Sequence, residues 1–232
     1  MWIGAKTLIA IWLVELVVVS QLQVNSFHRK TIELYKRTSE LEESALRVQY
    51  KALQSQLNPH FLFNSLNTLI SEIEYNPPKA VRFTSYLSDV YRYILRFQDH
   101  QLISLKSELD FLYAYIYLHK VRLGDYLTID CQISESCLND QIPPLTLQLL
   151  AENIIKHNVF YADKPITIYI TVGPEQEYLI VRNELRPKMD VPASGKGLQN
   201  LAMRYRLLCD KDIVIEKNES FFTVKVPLLN HE

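Results

Sequence analysis

Leu53 to Ile70 reads LQSQLNPHFLFNSLNTLI, and it sets an imidazole, His60, directly after a proline that cannot donate the hydrogen bond of a helix interior. A neutral imidazole nitrogen can attack phosphorus and carry the phosphoryl group as a high-energy phosphoramidate. An exposed histidine beside a helix break suits that work, because a separate nucleotide-bearing unit must reach it in line. A capping or surface histidine would look the same in isolation. No carboxylate follows it: the next residue is Phe61.

A second group lies in PPLTLQLLAENIIKHNV, Pro143 to Val159. Leu145, Leu147, Leu149, Leu150, Ile154 and Ile155 can hold a helix against a sheet, which leaves Glu152, Asn153, Lys156 and His157 as a polar group. The Asn153 amide oxygen could ligate Mg2+, Lys156 and His157 could meet phosphate charge, and Glu152 could orient a water or assist proton transfer. The solvated side of any amphipathic helix would also show such residues. A third stretch, SGKGLQNLAMRYRLL, sets Gly195 and Gly197 before a helix whose first amides are free to face an anion. Its spacing is neither the dinucleotide fingerprint nor the lysine-containing phosphate loop, and a flexible loop entering a helix is the plain alternative.

The elements that must carry these groups fall into two regions. Residues 1–20, MWIGAKTLIAIWLVELVVVS, are apolar except for Lys6, Thr7, Glu15 and Ser20, close to the length of a membrane span, with a signal segment and a buried or interfacial helix as the alternatives. His28, Arg29, Lys30, Lys36 and Arg37 follow it, against one lysine before it, and this excess favours a cytoplasmic location for the remainder. Phe27, Leu34, Leu41 and Val48 recur every seven residues beside a stripe of small side chains at Thr31, Thr38, Ala45 and Ala52, as in a helix paired along a narrow seam. Pro59 then bends that helix or begins a new one, with Asn58 available as a cap. Beyond it, Phe61, Leu62, Leu66, Leu69, Ile70 and Ile73 predict an apolar side, with His60, Asn64, Asn67 and Ser71 on a polar stripe. Pro77-Pro78 ends this helix, a second arm is predicted from Val81 to Phe97, and a third helix from Leu105 to Leu123 with Ser104 or Ser107 as cap and Gly124 as stop.

The C-terminal portion changes period. YLTIDCQI, PITIYITV, EYLIVRNEL, DIVIEKN and SFFTVKVPLL read as strands, with helices from Leu145 to His157 and Gly197 to Leu208, so a mixed sheet covered by helices is predicted. EKNES makes the last two strands an antiparallel hairpin. The 232 residues are 48% apolar and 22% charged with a net charge of -1, enough for a sizeable core and without the basic tract that would wrap nucleic acid. Cys131, Cys137 and Cys209 form neither a disulfide framework nor a metal-ligand cluster.

LQSQLNPHFLFNSLNTL, LLAENIIKHN and GKGLQNLAMRYRLL, in that order, resemble the membrane sensor histidine kinases of the LytS/YehU-like family over roughly Val48 to Val226. The resemblance implies an α+β chain, with N-terminal membrane and dimerisation helices followed by a GHKL-type α/β sandwich that binds ATP and Mg2+. Residues 1–22 would be the membrane helix, 23–57 a signalling helix, 58–124 the phosphoacceptor and dimerisation helices, and 125–232 the ATP-binding domain. It implies that His60 is the phosphoacceptor, that Asn153 coordinates the magnesium of ATP, that Lys156 and His157 lie near its phosphates, and that Gly195 and Gly197 close the pocket through a short lid. It further implies a homodimer at the cell inner membrane that passes the phosphoryl group to an aspartate of a cytoplasmic response regulator, often one with a LytTR DNA-binding domain. Where many relatives have DNG before the lid to recognise adenine, this chain has IVRNELRPK, so Asn183 stands in as a hydrogen-bonding residue without the carboxylate's charge. A GHKL scaffold that has lost catalysis and signals through its dimer is the competing expectation.

Overall fold

The computed structural model describes residues 59–97, 99–161, 164–188 and 196–229, together with residues 12, 21, 30, 32 and 35–37. Expectations for the membrane segment 1–22, the heptad helix 23–57, the Asn58 cap and Gly195 therefore lie outside the described residues, isolated positions apart. Among the described residues no helix is long and apolar enough to cross a membrane. Pro59–Glu232 forms one compact unit.

Helix α1 is described over Pro59–Tyr75, and the fixed φ of its proline suits a helix. One residue, Asn76, separates it from α2 (Pro77–Phe97). This second arm begins four residues before the predicted Val81, because two prolines fit a first turn and the Asn76 side-chain oxygen accepts the Lys79 N–H at 3.2 Å. Lys79 also bridges the turn to Glu72 at 3.0 Å. The predicted apolar side of α1 is divided. Phe61 is buried and Leu62 and Leu69 are half-buried, whereas Phe63, Leu66, Ile70 and Ile73 are exposed as a separate stripe at helical spacing.

Helix α3 (Leu105–Leu123) follows a two-residue strand, β1 (Ile103–Ser104), that pairs with β3 (Gln141–Ile142). Ser104 accepts the Ser107 N–H at 3.3 Å, and Gly124 closes the helix at φ 86°, a conformation that disfavours any side chain. Leu105, Leu109, Phe111, Leu112, Ala114, Tyr115, Ile116 and Leu118 are all buried. They cover several faces because α3 packs on α1 and α2 as well as on α4 (Thr146–His157). A helix packed from several sides needs apolar residues around much of its girth.

The main sheet has the order β2 (Leu127–Gln132), β4 (Ile166–Val172), β5 (Tyr178–Glu184), β7 (Phe221–Pro227), β6 (Val214–Lys217). β2 and β4 are parallel and the remaining pairs antiparallel, so the sheet is mixed, and β6 and β7 form the expected hairpin. The parallel pair requires a crossover, and its connection holds a 3-10 turn (Glu135–Asn139), β3 and α4. Ile166, Ile168 and Ile170 are buried and alternate with half-exposed Thr167, Tyr169 and Thr171, the pattern of a sheet with one face in the core. The last helix, α5 (Lys196–Cys209), packs against α4 and buries Leu201 and Tyr205.

Candidate active site

Helix α4 carries four of the predicted site residues. Leu147, Leu150, Ala151 and Ile154 are buried at three- and four-residue spacing, while Glu152 and Lys156 are exposed and Asn153 and His157 half-exposed. Its first turn is held from outside. Leu145 sits at φ 65° and offers no side-chain cap. The carboxylate of Glu108, wholly buried on α3, accepts the N–H groups of Leu145 at 2.6 Å and Leu147 at 2.8 Å. The Tyr93 hydroxyl, from α2, donates to the same carboxylate. Arg204 of α5 donates to the Pro144 carbonyl at 2.6 Å. Burial raises the pKa of the Glu108 carboxyl, opposed by the Tyr93 hydroxyl and the two amides. Sequence reasoning missed Glu108, which reads locally as an acid in a helix's first turn.

The far end of α4 is tied to the segment that follows β5. Asn158 is buried, donates to the Ile154 carbonyl at 2.9 Å and accepts the Arg186 N–H at 2.8 Å. The Lys188 ammonium donates to the carbonyls of Ile155 and Lys156, each at 3.2 Å, where a helix C-terminus favours a cation. His157 is consequently pressed toward its neutral form, first by partial burial and then by Lys156 and Lys188. Lys188 and Arg186 were visible only as members of IVRNELRPK. Their basic character was the available signal.

Asn183 lies on β5 in the same row as Leu179 and Val181, on the core side of the sheet, and is buried. Its side-chain nitrogen donates to the Glu184 carbonyl at 2.6 Å. Gly197 is the second residue of α5 and exposed. Its φ lies outside the left-handed region, and an added Cβ would meet only Leu149 of α4 at 3.7 Å. The residue is already helical.

His60 is on a different element from these groups. It is exposed in the first turn of α1, with Asn64 one turn on and the amide nitrogen 3.3 Å from Nδ1 and 3.1 Å from Nε2. Near-equal distances put the amide across the ring, since an in-plane approach between the nitrogens would collide with the carbon joining them. The amide is thus shared between the two ring nitrogens rather than bound to one of them. Phe61 turns inward, its ring 5.3 Å from Tyr115, 5.8 Å from His119 and 6.5 Å from Tyr91. Gln148 and Glu152 of α4 both bear on the Tyr115 hydroxyl, whose pKa is raised chiefly by burial and then by the Glu152 charge. His119 is buried and its pKa is pushed down to about 3 by burial and then by Arg122. Arg122 lies 3.2 Å from Nδ1, and Nε2 has no partner among the described residues. Those residues also contain no cluster of three or more His, Cys, Asp or Glu able to hold a metal, and the three cysteines are free thiols.

The Histidine kinase family model matches residues 48–127, the stretch holding His60 and all of α1, α2 and α3. Sensor histidine kinase YpdA of Escherichia coli (strain K12) is 33% identical over 195 residues, covering 79% of this chain and 34% of that protein. Sensor protein LytS of Staphylococcus haemolyticus (strain JCSC1435) is 34% identical over 142 residues, 61% of this chain and 24% of that one. Sensor histidine kinase BtsS of Escherichia coli (strain K12) is 30% identical over 161 residues, 68% and 28%. The chain thus spans between about a quarter and a third of the length of these relatives. With the family model and these three relatives in agreement, the chain belongs to the LytS-like family of sensor histidine kinases.

Proposed function

We propose that the chain is the kinase core of a sensor histidine kinase that transfers the γ-phosphoryl group of ATP to His60. The observation that carries this reading is the arrangement around α1. His60 is exposed, with the Asn64 amide nitrogen against its ring, while its neighbour Phe61 packs on Tyr115, whose hydroxyl pKa is raised by burial and then by the charge of Glu152 on α4.

In this reading α4 and the lid bind ATP. Asn153, half-exposed on the polar face, offers one amide oxygen, a set that fits Mg2+ because that ion keeps several waters and takes its other ligands from phosphates. Mg2+ would neutralise charge on the phosphates. Lys156 and Lys188 set two positive charges at the C-terminal end of α4, and His157, held neutral, supplies a hydrogen bond there. Gly195 and Gly197 allow the lid close to the phosphates. His60 attacks the γ-phosphorus through a ring nitrogen, the bond to the β-phosphate oxygen breaks, and ADP leaves. Glu152 is the acceptor for the displaced imidazole proton, or the Asn64 amide sets the tautomer so that water takes it.

The phosphoryl group then passes to an aspartate of a response regulator, the LytTR class being the one the family likeness suggests. Two copies act together through residues 23–57 and the hairpin, with residues 1–22 anchoring them in the inner membrane and the catalytic part in the cytoplasm. A second reading, a catalytically silent scaffold signalling through its dimer, is favoured by one observation: the Asn183 amide already donates to the Glu184 carbonyl.

The deciding experiment measures magnesium-dependent transfer from γ-labelled ATP to wild type and His60→Gln, with acid-labile and acid-stable phosphate separated. Acid-labile label that disappears in the variant supports the kinase. Folded, dimeric wild type that takes no label supports the scaffold.

A further inference from the structure

Glu108 is the place where four helices meet. It belongs to α3, accepts from Tyr93 of α2, and holds two amides at the start of α4. Arg204, reaching from α5 to the Pro144 carbonyl, adds a positive charge to the same junction. The first amides of a helix are without intrahelical partners, and Leu145, left-handed and aliphatic, cannot cap them. A buried carboxylate without partners would be costly, yet here both oxygens are used, Oε1 by Tyr93 and Leu145 and Oε2 by Leu147. The N-terminal end of the helix dipole offers the same site favourable potential.

We propose that Glu108 is a positioning residue that fixes the nucleotide helix α4, and with it Asn153, against the hairpin carrying His60, and that Tyr93 transmits the position of α2 to this latch. The proposal rests on the kinase reading for its consequence in catalysis, though not for its geometry. Asn153 lies two turns along the helix whose first turn Glu108 holds, so a shift or rotation at Leu145 carries straight to the amide that would meet the Mg2+ of ATP. The two bonds have separable effects. Losing an amide bond from Glu108 loosens α4 itself, whereas losing the Tyr93 hydroxyl leaves α4 capped and frees α2 from it.

The test uses the full chain, with Glu108→Gln and Tyr93→Phe each compared with wild type. Amide hydrogen exchange at Leu145 and Leu147 is read without nucleotide, followed by KM for ATP and kcat of His60 labelling. Glu108→Gln is expected to speed exchange at these amides and raise KM about tenfold, the scale of one lost charge-assisted hydrogen bond. Tyr93→Phe is expected to keep KM within about twofold and lower kcat roughly fivefold. A merely structural role would lower melting temperature in both variants and leave KM and the KM-to-kcat division alone, and that result overturns the proposal. Unchanged exchange in Glu108→Gln also overturns it. If Glu108→Gln fails to fold, Tyr93→Phe decides through its kcat. If wild type takes no label, the kinase reading fails, and the latch is decided by exchange together with affinity for a fluorescent ATP analogue.

Discussion

The Phe61 ring lies 5.3 Å from that of Tyr115, tilted by 31°, so the residue next to the exposed histidine is fastened to the helix facing Glu152. His60 thereby has an exposed side chain beside an anchored neighbour. Phe61→Ala should cost about 3 kcal/mol of stability, as for buried aromatic truncations, and should lower His60 labelling even at temperatures where the protein remains folded. Urea unfolding and labelling on the same samples check both. Phe61→Leu should recover most of the stability and less of the labelling, because it fills volume without the ring contact.

His119 gives an acid-side signature. Its folded pKa, pushed down to about 3 from the ordinary 6.5, means that the unfolded chain binds the extra proton between those values. Stability contributed by the neutral ring is complete above pH 6.5 and is lost toward pH 3, by about 1.4 kcal/mol per pH unit. Arg122, Tyr115 and Phe61 are the groups around it. His119→Phe should therefore gain on wild type steadily as the pH falls from 6.5 to 4.5. Parallel stability curves over that range would remove the assignment.

Lys188 should be felt by His157. Lys188→Met removes one of the charges that lower the His157 pKa, so the imidazole should titrate at higher pH in the variant, followed by proton NMR. Loss of two donors to the end of α4 should cost about 1 kcal/mol, and KM for ATP should rise.

Asn183→Asp would put a carboxylate at this buried position, at a cost. The side-chain nitrogen donates to the Glu184 carbonyl, and a carboxylate would face that oxygen with no proton to offer. The variant should lose about 2 kcal/mol in thermal or urea unfolding. Unchanged stability would mean that the Asn183 amide bond contributes little.

Much of this architecture was legible because it repeats locally. The alternation in ITIYITV and the Leu179, Val181, Asn183 row announced strands with one buried face, and Ser104 and Gly124 marked the ends of α3. Two features were not legible, for different reasons. The apolar side of α1 was real, but periodicity says only that a face is apolar, so it could not separate Phe61, which meets α3, from Leu66, Ile70 and Ile73, which stay exposed. Glu108 was hidden because its partners, Leu145 and Leu147, are 37 and 39 residues away, and only the folded chain brings that carboxylate to the start of α4. His60 and the polar face of α4 were found from residue type, while the basic pair Arg186 and Lys188 had no periodic frame to reveal it.

The parallel pairing of β2 with β4 has a kinetic consequence. Leu127 meets Ile166 only after the intervening chain, which includes all of α4, has been laid down and closed into a loop. The edge of the sheet and the helix bearing Asn153 must therefore mature together, among the long-range contacts that form slowly, while the α1–α2 hairpin is local and free to form early. During refolding the α1–α2 arm carrying His60 would be in place before the sheet and the helix carrying Asn153.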